Sequence, residues 1–388
     1  MKFDSLIVIS CLTVLTAQSG ITLYLPSLPS IAEYFHADAS FSAMTLSAFL
    51  VGMGLPMLLW GKVAARLGSR TTMMWALGLF SVSSLGVALS VDTMTFMLFR
   101  SLQGAAAGGI SVMARVLLRD SLSAQHLAKA LSWLSICFVI SLGMAQFLGA
   151  LIQVALGWRS VFFTSAVLGI LLILPVRRYA PYTTINTSSS LSSLHIYGTL
   201  IRDTQFLKPV LAGGLGYGVI ILFSAGAPTI FQIHFNWTEV EYGLIGWPIS
   251  IAYMLGALSV KWLISKRSQD QSLVLGLRFL ALGALLMVAG ERLFPTTASA
   301  LWLPYCLLLT GQGIVYPLCQ SLANQNSTFS GPYAMALTGF MHQAMAAGCG
   351  LVASILPPGQ PAHLTLACMG LATLALSIYL STGHRQPA

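Results

Sequence analysis

Carboxylates are scarce in this sequence: ten Asp and Glu stand against nineteen Lys and Arg in 388 residues. Charged residues make up only 7% of the chain, where a soluble domain carries about 25%. A globule covered by water is therefore excluded. No acid falls in the middle of a long apolar run, and there is no clustered His/Asp/Glu set, GxSxG, HExxH or phosphate-binding glycine loop. Those gaps argue against an enzyme, supply no cofactor motif, and leave an ion or solute gradient as the source of any work done. Cysteines are few. Cys11, Cys137, Cys306, Cys319, Cys349 and Cys368 all fall in apolar runs, with no CxxC pair and no zinc spacing. They read as small buried hydrophobes. The net charge of +9 comes without a basic run interleaved with aromatics, so nucleic acid is not an expected partner.

What is present is apolar length. Hydrophobic residues make up 56% of the chain and the mean hydropathy is +0.81. A bilayer is crossed by about 20 apolar residues in a helix, and backbone polar groups in lipid permit only helices or a closed barrel. Barrel strands alternate apolar and polar, whereas residues 166–176 contain no polar side chain. The expected fold is all-α, with about twelve transmembrane helices. The spans are expected near 5–25, 41–60, 72–90, 93–118, 130–154, 160–176, 207–230, 242–263, 273–289, 300–322, 333–356 and 364–380. Residues 1–18 resemble a signal peptide, but the apolar stretch continues through Tyr24, which favours an uncleaved first span.

Lys and Arg in short loops set orientation. With the N-terminus in the cytoplasm, that side receives Lys2, Lys62, Arg66, Arg70, Arg119, Lys129, Arg177, Arg178, Arg202, Lys208, Lys266, Arg267 and Arg385. The other side receives only Arg159 and Arg292, together with six acids. Both termini are then cytoplasmic, in a bacterial inner membrane. The Ser/Thr-rich stretch 177–206 divides the chain into six-helix halves at 1–176 and 207–388, the plan of a parallel-repeat transporter. Short echoes support a duplication: Gln103-Gly104 in the fourth span against Gln312-Gly313 in the tenth, and Gln146 before Gly149 against Gln343 before Gly348.

Polar side chains inside spans are the candidate working residues. A charge at the bilayer centre costs about 2.5–3.5 kcal/mol on the insertion scale, so Arg100 reads as a pathway or coupling residue facing a central cavity. Arg115 either does the same or snorkels to the cytoplasmic surface. Gln18, Gln103, Gln146, Gln312, Gln320, His342 and Gln343 either bind substrate or tie helices together. His342 is the one group deep in a span that titrates near neutrality. Tyr217, Tyr253, Tyr305 and Tyr316 either line an amphipathic pocket or pack. With no acid among these groups, a neutral or anionic small-molecule substrate is favoured over a cation.

Several motifs carry a family resemblance. The loop Gly61-Lys-Val-Ala-Ala-Arg66-Leu-Gly68-Ser-Arg70 resembles the signature between helices two and three of the major facilitator superfamily. Arg100 through Gln103-Gly104 resembles that superfamily's helix-four motif. Arg115 and Arg119-Asp120, Tyr24-Leu-Pro26-Ser-Leu-Pro29, and Trp158-Arg159 leading to Phe162 are similar to the drug-exporting Bcr/CflA branch. The resemblance implies a monomeric twelve-helix secondary transporter exporting small amphipathic molecules against protons. It also implies a conformational gate built from Gly61, Arg66, Gly68, Arg70 and Asp120. Three positions depart from the pattern. Thr22 stands where an acid tied to proton coupling is usual, Ala65 replaces the loop acid, and Gln146 replaces a helix-five proline. Those departures count against ordinary drug–proton antiport. The alternative is a carrier dedicated to one metabolite, such as a siderophore or other organic anion, moving in either direction.

Overall fold

The computed structural model describes residues 2–38, 40–122, 124–181, 193–325, 331–357 and 359–381. Among them all regular structure is helical: α1 (Lys2–Thr22), α2 (Leu28–Tyr34), α3 (Ser40–Leu67), α4 (Ser69–Ala88), α5 (Thr93–Ser121), α6 (Ala124–Leu156) and α7 (Trp158–Tyr179). There follow α8 (Ser193–Arg202), α9 (Thr204–Thr229), α10 (Glu239–Leu244), α11 (Gly246–Lys266), α12 (Gln269–Leu293), α13 (Ser299–Gln325), α14 (Gly331–Ile355) and α15 (Pro361–Leu380). All but α2, α8 and α10 are long helices, and each long helix overlaps one of the expected spans. Nine helices among the described residues are long and apolar enough to cross a membrane.

The chain forms two compact units. One gathers α1–α7 with Phe231–Ser250; the other gathers α8, α9 as far as Ile230, and the chain from Ile251 onward. The stretch 177–206, read from sequence as a polar connection, contains α8. Ile196 and Leu200, four residues apart on one helix face, are buried against Phe206, Val210, Ala323, Ala334 and Leu337.

Sequence chemistry accounts for the helix ends. Asp92 caps α5, accepting from the Thr95 N–H at 2.8 Å and the Thr95 hydroxyl at 2.6 Å. These bonds hold its carboxyl below the usual range. Asp203 caps α9 by accepting from the Gln205 N–H, and Thr238 with Glu241 forms a capping box at α10. Between α3 and α4 the turn is made by Gly68 at φ +80°, and between α6 and α7 by Gly157 at φ +80°. Both positions lie in the region that favours a residue without Cβ.

Among the close helix crossings, one in each unit shares a register with the other. In the first, a Cβ on Gly52 would overlap the Ser101 carbonyl, and a Cβ on Gly104 would overlap the Phe49 carbonyl. In the second, a Cβ on Gly256 would overlap the Thr310 carbonyl, and one on Gly313 the Tyr253 carbonyl. On every helix the obstructing carbonyl sits three residues before the glycine. The α3–α5 and α11–α13 crossings are thus built on the same four-position pattern, and Gly104 and Gly313 are the glycines of the Gln-Gly echo. Small residues at such points let backbones approach where lipid offers no hydrophobic drive to association.

Candidate functional site

In the first unit Tyr24 and Phe162, from two of the branch-type motifs, meet the buried Arg100 of the helix-four motif. Arg100, on α5, has no exposed surface. Its Nη1 donates to the Gly20 carbonyl on α1 at 2.9 Å and to Gln103 Oε1 at 2.5 Å. The guanidinium carbon lies 4.1 Å from the ring centre of Tyr24, 4.6 Å from that of Phe49 and 5.9 Å from that of Phe162. Gln103 Nε2 passes the chain on to Ser84 Oγ at 2.7 Å, and that hydroxyl donates to the Phe80 carbonyl. Tyr24 hydrogen-bonds Thr45. Arg100 also interacts with the Tyr24 phenol, its Nε and Nη2 make no well-formed hydrogen bond, and no carboxylate pairs with it among the described residues. Aromatic faces take the place of a counter-ion; each such contact is worth about 0.5–2 kcal/mol when desolvated. Sequence reasoning expects Arg100 to face a cavity, whereas here it is closed in by rings.

Around this node the WR motif has a packing role. Trp158 stacks edge-on or tilted with Phe35, Phe96 and Phe162, while Arg159 lies 4.2 Å from the ring centre of Tyr34. Thr22 is buried, its hydroxyl 3.3 Å from the Gln18 carbonyl and 3.2 Å from the Ser141 carbonyl of α6. Gln18 is buried one turn earlier on α1. α6 runs unbroken through Gln146, and Gln146 Nε2 donates to the Tyr242 carbonyl at 3.1 Å. Gln146 therefore keeps the backbone bond that a proline would remove and adds a side-chain bond of its own.

The second unit holds a separate polar cluster on α9, α13 and α14. His342 Nε2 lies 3.1 Å from the Val210 carbonyl. A carbonyl only accepts, so Nε2 carries the proton and Nδ1 is left as an unfilled acceptor. The ring fits against Gly213 and Gly214, where added Cβ atoms would lie 3.4 Å and 3.1 Å from it. Tyr316 packs on His342 with ring centres 5.7 Å apart. Gln312, fully buried, donates to the Gly213 carbonyl at 3.2 Å and leaves Oε1 without a partner. Gln343 hydrogen-bonds the Tyr217 phenol, and its Oε1 is also unfilled. Tyr217, Tyr316 and Gln343 retain accessible surface.

Among the gate residues, Arg70 donates to the Arg177 carbonyl in the last turn of α7, a cation at the negative end of a helix. Arg66 and Arg115 are exposed, and Gly68 makes the turn described above. The side chain of Asp120 and the surroundings of Gly61 lie outside the described residues. Sequence reasoning missed Phe49, Thr45 and Ser84 around Arg100, and Gly213-Gly214 around His342. The only advance signal for the last two was a glycine pair in an apolar run.

Long apolar helices with polar side chains buried among them are the pattern of a polytopic membrane protein. The Major Facilitator Superfamily model matches residues 10–348, and the chain belongs to that family. Membership agrees with the expectation of a transport protein rather than an enzyme. The chain is 32% identical over 239 residues to the multidrug resistance protein MdtL of Escherichia coli, covering 60% of this chain and 59% of that one. It is 30% identical over 219 residues to the uncharacterized MFS-type transporter YdgK of Bacillus subtilis, covering 55% of this chain and 54% of that one. The alignments thus span little more than half the length of these relatives. Among solved structures a D-xylose–proton symporter matches with TM-score 0.81 at 15% identity, over 97% of both chains. The nucleoside transporter NupG matches with TM-score 0.71 at 14% identity, over 98% of this chain and 99% of the other. At such identities these two speak for the fold alone.

Proposed function

We propose that this chain is a monomeric secondary transporter that exports small amphipathic molecules, neutral or anionic, across a bacterial inner membrane. Both termini lie in the cytoplasm, and the two six-helix sets, residues 1–176 and 207–388, alternate access. The observation that carries the reading is the unspent hydrogen-bonding capacity at Arg100, Gln312, His342 and Gln343, none of them ion-paired to an acid among the described residues. A buried donor or acceptor left unfilled costs about 1–3 kcal/mol, a cost that a substrate bearing complementary groups removes. The similarity to MdtL supports export of drug-like compounds. Arg100, Gln103, Tyr24 and Gln18 act in the first unit, Gln312, Tyr316, His342 and Gln343 in the second, with Arg115 and Gln146 in supporting roles. Gly61, Arg66, Gly68, Arg70 and Asp120 govern switching. The test is uptake into proteoliposomes of a panel of neutral, anionic and cationic amphipaths, with and without a pH gradient. Preference for cations would defeat the reading.

Coupling follows from Thr22. Its hydroxyl faces two carbonyl acceptors and spends its single proton on one of them. Thr22→Ala should therefore cost no more than the roughly 1 kcal/mol of an ordinary hydrogen bond and leave transport nearly unchanged. A carboxyl placed there by Thr22→Asp could donate to those carbonyls only when protonated, so that variant should acquire a pH dependence that the parent lacks. Substrate-induced proton release from the solubilised parent should be weak, since Thr22 carries no titrating group and no acid falls in the middle of an apolar run. Robust pH-driven antiport of a non-titrating substrate that survives His342→Ala would sink this account.

A further inference from the structure

In the second unit the ends of α11 and α15 and the start of α12 surround a cavity of about 430 Å³, lined by Arg267, Gln271, Val274, Arg278 and Leu380. We infer that this cavity binds the phosphate of an anionic membrane lipid.

Both guanidiniums are exposed, and neither makes a side-chain hydrogen bond or ion pair among the described residues. The nearest acid in sequence, Asp270, is engaged by the Tyr379 hydroxyl. Gln271 has its carbonyl oxygen turned to the Ser268 N–H at 3.3 Å, which keeps its amide N–H groups for another acceptor. Arginine pairs suit a phosphate because their planar forks donate in parallel.

The apolar members distinguish a lipid from a free anion. Val274 stands on α12 one turn before Arg278, and Leu380 closes α15, so the cavity joins phosphate-binding groups to apolar side chains. A phosphodiester carrying glycerol and acyl chains covers both parts, whereas inorganic phosphate leaves Val274 and Leu380 wet. Basic pockets among membrane helices at headgroup level are where anionic headgroups bind. This site uses none of the residues assigned to transport above.

The test is native mass spectrometry of the full-length protein released from micelles containing phosphatidylglycerol. Wild type is expected to retain a single lipid at several-fold higher occupancy than Arg267→Gln/Arg278→Gln, with Arg267→Lys/Arg278→Lys in between. Inorganic phosphate at millimolar concentration is expected not to displace the lipid. Equal occupancy in wild type and the Gln variant would overturn the assignment. Displacement by inorganic phosphate would overturn it as well, by giving the site to a free anion. Melting temperature without added lipid is measured alongside; if the double variant is lost from the membrane, the two single Gln variants carry the same comparison.

Discussion

Arg100→Met is expected to remain folded in the membrane and to lose about two orders of magnitude in transport rate. Methionine removes the charge of Arg100 while keeping most of its volume. Arg100 is fully enclosed by Tyr24, Phe49 and Phe162, so Arg100→Ala would remove packing as well as charge. Truncating a large buried side chain to Ala costs about 2–5 kcal/mol, enough to confuse instability with loss of function. Methionine fills much of the same space, and replacing a buried charge by an apolar side chain of similar size is often neutral for stability. What Met cannot do is donate to the Gly20 carbonyl and Gln103, or offer the two donors now unfilled. A hydrogen bond to a charged group is worth about 1.5–3 kcal/mol, and losing one such interaction from the rate-determining state is about a hundredfold. Arg100→Lys should also be impaired, because an ammonium cannot reproduce the fork or its stacking. Size-exclusion profile and melting temperature report folding, and proteoliposome flux reports transport. Wild-type flux in the Met variant would make Arg100 a packing residue.

How much of this was legible beforehand depends on the range of the interaction. The twelve long helices were readable because apolar blocks and their breaks are local, and Gly68 could be placed at a turn from the loop motif alone. The convergence of Tyr24, Arg100 and Phe162 was readable only as three motifs in separate spans. Nothing local says that a guanidinium will be met by aromatic faces. Counting carboxylates leads to a cavity-facing charge, whereas rings and a helix carbonyl can enclose it instead. Thr22 was visible as a departure, but its partner Ser141 lies 119 residues away. The connection 177–206 read as polar because Ser and Thr dominate it, which hid the Ile196/Leu200 face of α8. The Gln-Gly echo showed two of the four crossing glycines, and Gly52 and Gly256 emerged only once the helices were laid across each other.

Those crossings yield a prediction about the sign of an effect as well as its size. In an exposed helix interior, Gly→Ala stabilises by about 1 kcal/mol through propensity. Gly78 on α4 and Gly370 on α15 have nothing within 4 Å of an added Cβ, so alanine there should raise the melting temperature or leave it unchanged. At Gly104 and Gly313 the same methyl would overlap the Phe49 and Tyr253 carbonyls, which are backbone and cannot rotate away. Overpacking ordinarily costs about 1–3 kcal/mol. Here the helices themselves must separate, which also strains the reciprocal contacts at Gly52 and Gly256. Gly104→Ala and Gly313→Ala should therefore each lower stability by about 3 kcal/mol or more, with a marked loss of monodisperse protein. Because the obstructing carbonyl stands three residues before the glycine on all four helices, the two variants should be impaired to a similar degree. The double variant should yield no folded protein. Thermal melting of the four alanine variants in one detergent checks the whole pattern. If Gly104→Ala melts like Gly78→Ala, the close crossing is not what holds α3 to α5. If Gly104→Ala fails while Gly313→Ala is tolerated, the shared register does not carry shared energetics.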